Sequence, residues 1–146
     1  MPGHISPITL QLVGPQSWTE VPALLCYDPA DPFAVRIAFG DAGEGDEGDD
    51  GIAWLVSREL LQAGLEHPTG DGDIRVWPAH ATADLLFLHL RAPSGEALFE
   101  LSRGTVAAFL RHTETLVPSG SESELLRLDQ ELDALLSNGG PDSPGR

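Results

Sequence analysis

The segment DLLFLHLRAPSGEALFELS, residues 84–102, contains a hairpin signal from which the fold can be worked out. Its first part, 84–92, is apolar on both faces over most of its length, which is typical of a central strand. The turn-forming run Pro-Ser-Gly follows at 93–95, and in 96–102 Ala97, Phe99 and Leu101 lie on the face opposite the two glutamates. The segment therefore predicts two adjacent antiparallel strands.

The segment VPALLCYDPADPFAVRIAF, residues 21–39, predicts a second hairpin. Every other residue of FAVRIAF is a large apolar one, as in a half-buried strand. A Pro/Asp turn joins it to the strand at 21–28. Further strand patterns, which bring the predicted number to about seven, lie at residues 8–13, 52–57 and 74–80. Pro78 is expected to end the last of these or to place it at an edge of the sheet.

Three helices complete the predicted fold. Ser57 is a candidate N-cap for a short helix at 58–65, whose leucines share one face. A second helix runs from about residue 102 to 116, and its apolar face consists of Val106, Phe109, Leu110 and Thr113. The order of elements predicts an α+β fold: a mostly antiparallel sheet of about seven strands with a short helix and two C-terminal helices.

The last helix, from about residue 121 to 136, carries leucines at spacings of three, four and three. These are Leu125, Leu128, Leu132 and Leu135. The repeat covers fewer than three heptads, too few for an autonomous coiled coil, so the helix is expected to pack on its own domain or on a partner. Together with the two-sided apolar strand at 85–90, this leucine seam is a candidate surface for oligomerisation.

Length and composition predict one domain. The chain has 146 residues, of which 41% are hydrophobic, enough to build one core. We assign residues 1–137 to a single domain and 138–146 to a disordered tail. Residues 40–51, GDAGEGDEGDDG, contain six carboxylates and do not match the spacing of a calcium loop. They are interpreted as an acidic flexible loop.

The charge of the chain restricts its partners. Eight basic residues, all of them arginines, stand against 23 acidic ones, a formal net charge of −15. Nucleic-acid binding needs clustered cations, and an anionic membrane surface would repel such a chain. No apolar run approaches the ~20 residues of a membrane span, and the N-terminus lacks the features of a secretory signal. We expect a cytoplasmic protein with no nucleic-acid partner and no direct membrane insertion.

Catalytic and metal-binding motifs are missing from the sequence. Cys26 is the one cysteine, which is interpreted as a buried structural thiol. The five histidines show no metal-binding spacing, and no nucleophile elbow, Walker A or dinucleotide-binding spacing occurs. We therefore expect no enzyme activity, no catalytic residues, no cofactor and no metal.

The stretch GDGDIRVWP, residues 70–78, has two interpretations. Its glycines and aspartates suit a tight turn before an edge strand, which is the simpler interpretation. Ile74 and Val76 would then be buried, and Arg75 and Trp77 would lie on the opposite face. An Arg/Trp face is of the type enriched in protein interfaces. Arg75 and Trp77, together with the four leucines of the last helix, are therefore the candidate partner-binding residues.

Several of these segments together resemble the SsgA-like proteins, sporulation-specific cell division proteins of spore-forming actinobacteria. The segments are VPALLCYDPADPFAVRIAF, VSRELLQAGLEHPTGDGDIRVWP, PSGEALFEL, FLRHTETLVPSGSE and LDQELDALL. The resemblance covers roughly residues 8–137, with matching order and spacing. The 40–51 insertion looks longer than the family's hairpin at that place, which leaves the branch of the family open.

The resemblance implies a non-enzymatic protein of the cytoplasm that acts at the division septum. Such a protein would help to localise and assemble the tubulin-like protein FtsZ at sporulation septa, or would regulate septal peptidoglycan remodelling. The implied partners are FtsZ or other division proteins, SsgA-like paralogues and further copies of the chain. The implied assembly is a bell-shaped homotrimer related in shape to Whirly proteins.

Two alternatives belong to other functional classes. By analogy with the Whirly fold the chain could bind single-stranded nucleic acid, with Trp18, Trp54 and Trp77 as stacking rings. The charge argues against this, since the arginines are scattered. A cell-wall hydrolase would need two carboxylates held in a cleft, which a sequence does not reveal.

Overall fold

The computed structural model of the protein describes residues 3–39, 52–80 and 83–138. The predicted acidic loop at 40–51 and residues 139–146 of the predicted tail lie outside these ranges. The described strands are β1 (His4–Val13), β2 (Trp18–Tyr27), β3 (Ala34–Phe39), β4 (Ala53–Ser57), β5 (Thr69–Asp71), β6 (Ile74–Pro78), β7 (Leu85–Ala92) and β8 (Gly95–Ser102). The described helices are α1 (Arg58–Gly64), α2 (Arg103–Leu116) and α3 (Glu122–Asn138).

The strands form one sheet in the order β4-β3-β2-β1-β8-β7-β6-β5. Every neighbouring pair is antiparallel. This confirms the α+β class, the antiparallel sheet, the short helix and the two C-terminal helices. The trimeric assembly and the Whirly relationship stay predictions.

The two predicted hairpins are confirmed. In the β7–β8 hairpin Leu85 pairs with Ser102 and Ala92 with Gly95, so Pro93 and Ser94 form the turn. Gly95 has φ 146°, a conformation that residues with a Cβ rarely adopt. The strand β7 lies inside the sheet between β8 and β6. Only its Leu86, Leu88 and Leu90 face is buried, and the other face is half-buried apart from the exposed Arg91.

The GDGD stretch contains a strand that the sequence interpretation missed. The first Gly-Asp pair belongs to β5, which pairs with β6, and Gly72 turns the chain with φ 63°. Because β5 takes the edge position, β6 is not an edge strand. Its Pro78 nevertheless pairs with Leu86 in β7 at the end of the strand, where a missing N–H is tolerated.

One core joins the inner face of the sheet to α1 and α2. It contains Leu10, Leu25, Val35, Val76 and Leu88, all at most 1% exposed. The side chain of Ser57 accepts the N–H of Leu60 at 3.1 Å, as an N-cap does. In α2 the four residues of the predicted apolar face are the buried ones, so its 3.6-residue pattern predicted its packing correctly.

Candidate interaction surfaces

The leucines of α3 do not pack into the core. Leu128, Leu132 and Leu135 are 56%, 49% and 66% exposed, and the side chain of Leu125 lies outside the described residues. The next residue of the helix, Leu136, is 78% exposed. An apolar helix face of this kind is characteristic of a surface that another molecule covers. The three described leucines therefore form an accessible seam on the isolated chain.

A buried cation anchors the start of α3. Arg58, the first residue of α1, has a side chain only 1% exposed, and its Nη2 lies 2.6 Å from Oε2 of Glu122. Its Nη1 donates to the carbonyl and the hydroxyl oxygens of Thr113, both at 3.2 Å. The guanidinium also lies 5.1 Å from the ring centre of Tyr27. One arginine thus links α1, α2 and α3, although 64 residues separate Arg58 from Glu122.

The carboxylates around Arg58 are held in their charged form. Burial alone would raise the pKa of Glu122, but hydrogen bonds from Arg58 and from backbone N–H groups, with the attraction of Arg58, outweigh it and lower that pKa. Burial likewise raises the pKa of Glu114, and hydrogen bonds from Ser119 and Gln62 overcome this and lower it. Oε2 of Glu114 lies 3.9 Å from Nη1 of Arg58. The anchor of α3 is therefore a network of charges.

The sequence interpretation missed Arg58, although the pattern contained a signal. Arg58 precedes Leu61 by three residues and Leu65 by seven, which places it on the leucine face of α1. The buried residues of α1 include Arg58 and Leu61. A charged residue on an apolar face is buried only when it is paired, so the position of Arg58 on this face indicates a buried partner.

Arg75 and Trp77 lie on the predicted side of β6. Arg75 is exposed and Trp77 half-buried, whereas Val76 between them is fully buried. The ring of Trp77 stacks on Phe87, with 5.5 Å between centroids. Both candidate residues line an open groove of about 680 Å³ next to the GDGD turn. No described hydrogen bond, ion pair or ring contact joins them to α3, so the predicted binding residues form two separate surfaces.

The three tryptophans do not share one face. Trp54 packs against the core, while Trp77 lies on the opposite side of the sheet with Phe87. Trp18 is 53% exposed at the beginning of β2. A stacking platform needs rings aligned along one basic groove, and the positions of these rings do not provide it.

His4, His89 and His112 make local contacts, and Cys26, interpreted from the sequence as a buried thiol, is only partly buried. Nε2 of His89 lies 2.6 Å from Oε1 of Glu96 on the neighbouring strand. The ring of His4 stacks on His112, with 3.7 Å between centroids; burial and the neighbouring His112 lower the pKa of His4. Burial raises the pKa of the Cys26 thiol, and the nearby Arg36 partly opposes this. Within residues 3–39, 52–80 and 83–138, no group of three or more His, Cys, Asp or Glu residues could hold a metal ion.

No helix within the described ranges combines the length and the apolarity needed to cross a bilayer.

Comparison with known proteins gives consistent matches along most of the chain. The family model described as "Streptomyces sporulation and cell division protein, SsgA" matches residues 21–122. The sporulation-specific cell division protein SsgB of Frankia casuarinae is 44% identical over 137 residues, which cover 92% of each chain. SsgB of Streptomyces coelicolor is 39% identical over 127 residues, 86% of this chain and 89% of that protein.

Solved structures agree with the sequence matches. The crystal structure of an SsgA-like sporulation-specific cell division protein from Thermobifida fusca has a TM-score of 0.79 and 34% identity, covering 90% of this chain and 94% of that one. A second structure comes from a study of SsgB mutations that correlate to longitudinal cell division during sporulation of Streptomyces coelicolor. It has a TM-score of 0.73 and 36% identity, covering 85% of this chain and 95% of that one.

Proposed function

The chain belongs to the SsgA family of sporulation and cell division proteins, and from this premise we propose that it is a non-enzymatic adaptor of sporulation-specific cell division. One observation carries the proposal. Relatives named sporulation-specific cell division proteins match this chain over most of both lengths, in sequence and in fold. A shared fold alone would not support a shared role, but identity of 34–44% over nearly the whole chain is stronger support.

The adaptor acts at the sporulation septum, where it helps to localise and assemble FtsZ or regulates septal peptidoglycan remodelling. The described surfaces are suited to protein contacts. They include the exposed leucines of α3 and the Arg75/Trp77 surface of β6. Arginine and tryptophan are the residue types that most often carry binding energy in interfaces.

The adaptor works as a homo-oligomer, a trimer, with FtsZ or other division proteins and SsgA-like paralogues as partners. Self-association through one surface leaves the other free for a division protein. The seam of α3 is suited to self-association because its leucines are aliphatic and regularly spaced. The surface of β6 is suited to a different partner because it combines a charge with an aromatic ring.

A complementation experiment tests the proposal. The chain is expressed in a Streptomyces coelicolor strain that lacks its own SsgB, with that SsgB as positive control, and septa and fluorescent FtsZ are counted in sporulating cells. We expect septation to be restored, and the variant Arg75→Glu/Trp77→Ala to restore less while keeping its fold. If the chain is produced and folded but neither restores septa nor localises at them, the proposed role is wrong.

A further inference from the structure

The described sheet has two edges, and they differ in chemistry. The edge strand β5 is three residues long and contains Gly70 and Asp71, of types that are depleted in strands. The other edge strand, β4, has the sequence AWLVS, with no proline, glycine or charged residue. Proteins commonly protect a sheet edge by keeping its strand short or by placing charges or prolines on it. The edge at β4 has none of these charges or prolines.

The pairing of β4 with β3 decides which of its backbone groups are free. The N–H of Phe39 donates to the carbonyl oxygen of Ile52 at 2.8 Å, directly beyond the last pair of the ladder. Hydrogen-bonded pairs alternate with non-hydrogen-bonded pairs along an antiparallel ladder. Trp54 and Val56 therefore direct their N–H and C=O groups to β3, and the residues between them direct theirs away from the sheet.

Ala53, Leu55 and Ser57 carry these outward groups, which we call the free edge. All three residues are exposed. Within residues 3–39, 52–80 and 83–138, no backbone hydrogen bond from another segment reaches Ala53 or Leu55 on this side. The free edge is about 14 Å long, and its donors and acceptors have the spacing that a further β-strand complements. Its geometry therefore specifies an extended occupant.

Apolar side chains flank the free edge on both faces of the sheet. Leu55 is 61% exposed on the outer face, which is the face opposite α1 and α2. By the alternation of the strand, Ile52, which is 64% exposed, and the half-buried Trp54 lie on the inner face. The side chains of an added strand also alternate between the two faces, so apolar residues at every second position would cover Ile52 and Trp54.

A second copy of the chain is a poor occupant of the free edge. Two identical edges pair about a twofold axis, and such a contact gives a dimer instead of the trimer proposed above. Two chains that each carry a net charge of −15 also repel each other. A neutral or basic segment of a different protein is subject to neither restriction.

We propose that the free edge of β4 is a strand-addition site, at which an extended segment of a division-protein partner joins the sheet as a ninth strand. The segment is apolar at alternate residues and carries no net negative charge. The inference rests on the adaptor role proposed above and names the way in which a partner is held. Main-chain hydrogen bonds supply the affinity in this mode of recognition, and the side chains supply the specificity. The Arg75/Trp77 surface is separate, because β6 lies near the other end of the strand order.

A peptide-binding experiment tests strand addition on the full chain. The probe is a synthetic peptide, RFAVRIAFR, which contains residues 33–39 between two added arginines. This segment includes β3, which pairs with the opposite edge of β4, so the probe has the length and the alternation that β4 accepts. We expect saturable binding by calorimetry. Binding should also slow the hydrogen exchange of the Ala53 and Leu55 amides, observed by nuclear magnetic resonance.

Two variants of Leu55 separate the backbone contact from the side chain. Leu55→Pro removes the central outward N–H and leaves the hydrogen bonds to β3 in place, and proline is accepted where the N–H of an edge strand faces solvent. Leu55→Ala is the matched control, because it removes the same side chain and keeps the N–H. We expect Leu55→Pro to bind the probe about tenfold more weakly than Leu55→Ala, or weaker still. Circular dichroism and light scattering verify that both variants have the same fold and mass.

A modified probe gives a second readout that needs no change to the protein. The peptide is methylated on the backbone nitrogen of every second residue, in two versions that carry the methyl groups on alternate sets. An added strand uses one set of N–H groups to bond β4 and turns the other set to solvent. We therefore expect one version to lose binding and the other to keep it.

The same pair of variants connects the free edge to septation. In the complementation strain we expect Leu55→Ala to restore septa and Leu55→Pro to restore fewer. Equal restoration by both variants would mean that no division partner uses the free edge, and the proposal would be wrong while the adaptor role stands. Absence of probe binding, equal binding by the two variants, or equal binding of the two methylated probes would refute strand addition itself. Failure of the unchanged chain to restore septa would instead refute the adaptor role and, with it, the division partner named here.

Discussion

Replacing Glu122 with Gln tests whether the buried Arg58 anchors α3. The substitution keeps the size of the side chain and removes the charge 2.6 Å from the guanidinium. A hydrogen bond to a charged group contributes about 1.5–3 kcal/mol, and removing one partner of a fully buried pair costs about 3–5 kcal/mol. Glu122 is 14% exposed and Glu114 remains 3.9 Å from Arg58. We therefore expect the free energy of unfolding to fall by about 2 kcal/mol, near the lower end of these ranges.

The matched control is Glu66→Gln, the same substitution in a second arginine pair. Oε2 of Glu66 lies 3.2 Å from Nη2 of Arg103, but these side chains are 70% and 35% exposed. Exposed pairs contribute about 0–1 kcal/mol. At roughly 3 °C per kcal/mol for a chain of this size, we expect Tm to fall by about 6 °C for Glu122→Gln and by less than about 3 °C for the control.

Scanning calorimetry and urea unfolding, both at one fixed protein concentration, measure the two variants. The fixed concentration matters because self-association would make Tm concentration-dependent. If the two substitutions lower stability equally, burial does not distinguish the pairs, and the inference that Arg58 anchors α3 is refuted. If Glu122→Gln has no effect on stability, the same inference also fails.

Three further predictions concern pH and packing. The pKa of Glu122 is lower in the folded chain than its usual 4.5, so its contribution to the free energy of unfolding is complete above pH 4.5 and is lost as pH falls through the folded pKa. Below about pH 4.5, urea unfolding should therefore show a shallower loss of stability for Glu122→Gln than for the unchanged chain. The pKa of His4 is lowered from 6.5 by burial and by His112, so the free energy of unfolding should fall as pH drops from about 7 to 5. His4→Phe should make that fall smaller in thermal melts. An unchanged pH dependence in His4→Phe would contradict a role of His4 in it. A Cβ on Gly64 would overlap the side chain of Val76, so Gly64→Ala should lower the free energy of unfolding by about 1–3 kcal/mol. The double variant Gly64→Ala/Val76→Ala should lose less stability than the sum of the two single variants, as measured by urea unfolding. Strict additivity would show that the overlap is relieved elsewhere.

Regular periodicity explains what could be predicted from the sequence. The apolar face of α2 and the two hairpins were predicted correctly because period-3.6 and period-2 patterns depend on local sequence and burial alone. The strand β5 was missed because Thr69–Asp71 is short and its glycine and aspartate are depleted in strands. Only the pairing with β6 makes this segment a strand.

The candidate surfaces could be predicted in part. The leucine spacing of α3 correctly indicated an apolar face, but periodicity does not say whether a face packs on its own domain or remains exposed. The link from Arg58 to Glu122 spans 64 residues, and no local pattern reveals such a contact. The register of the four strands β1 to β4 is likewise fixed by tertiary pairing.

Direct binding to FtsZ polymers is the measurement that tests the adaptor account most directly. The purified chain is sedimented with FtsZ in GTP, which permits polymers, and in GDP as control, with the variant Arg75→Glu/Trp77→Ala alongside. The account predicts that the chain pellets with FtsZ in GTP in a saturable manner, and that the variant, folded and of unchanged mass, pellets less. If the chain remains in the supernatant at every FtsZ concentration, or pellets equally without polymers, a direct adaptor role on FtsZ is contradicted.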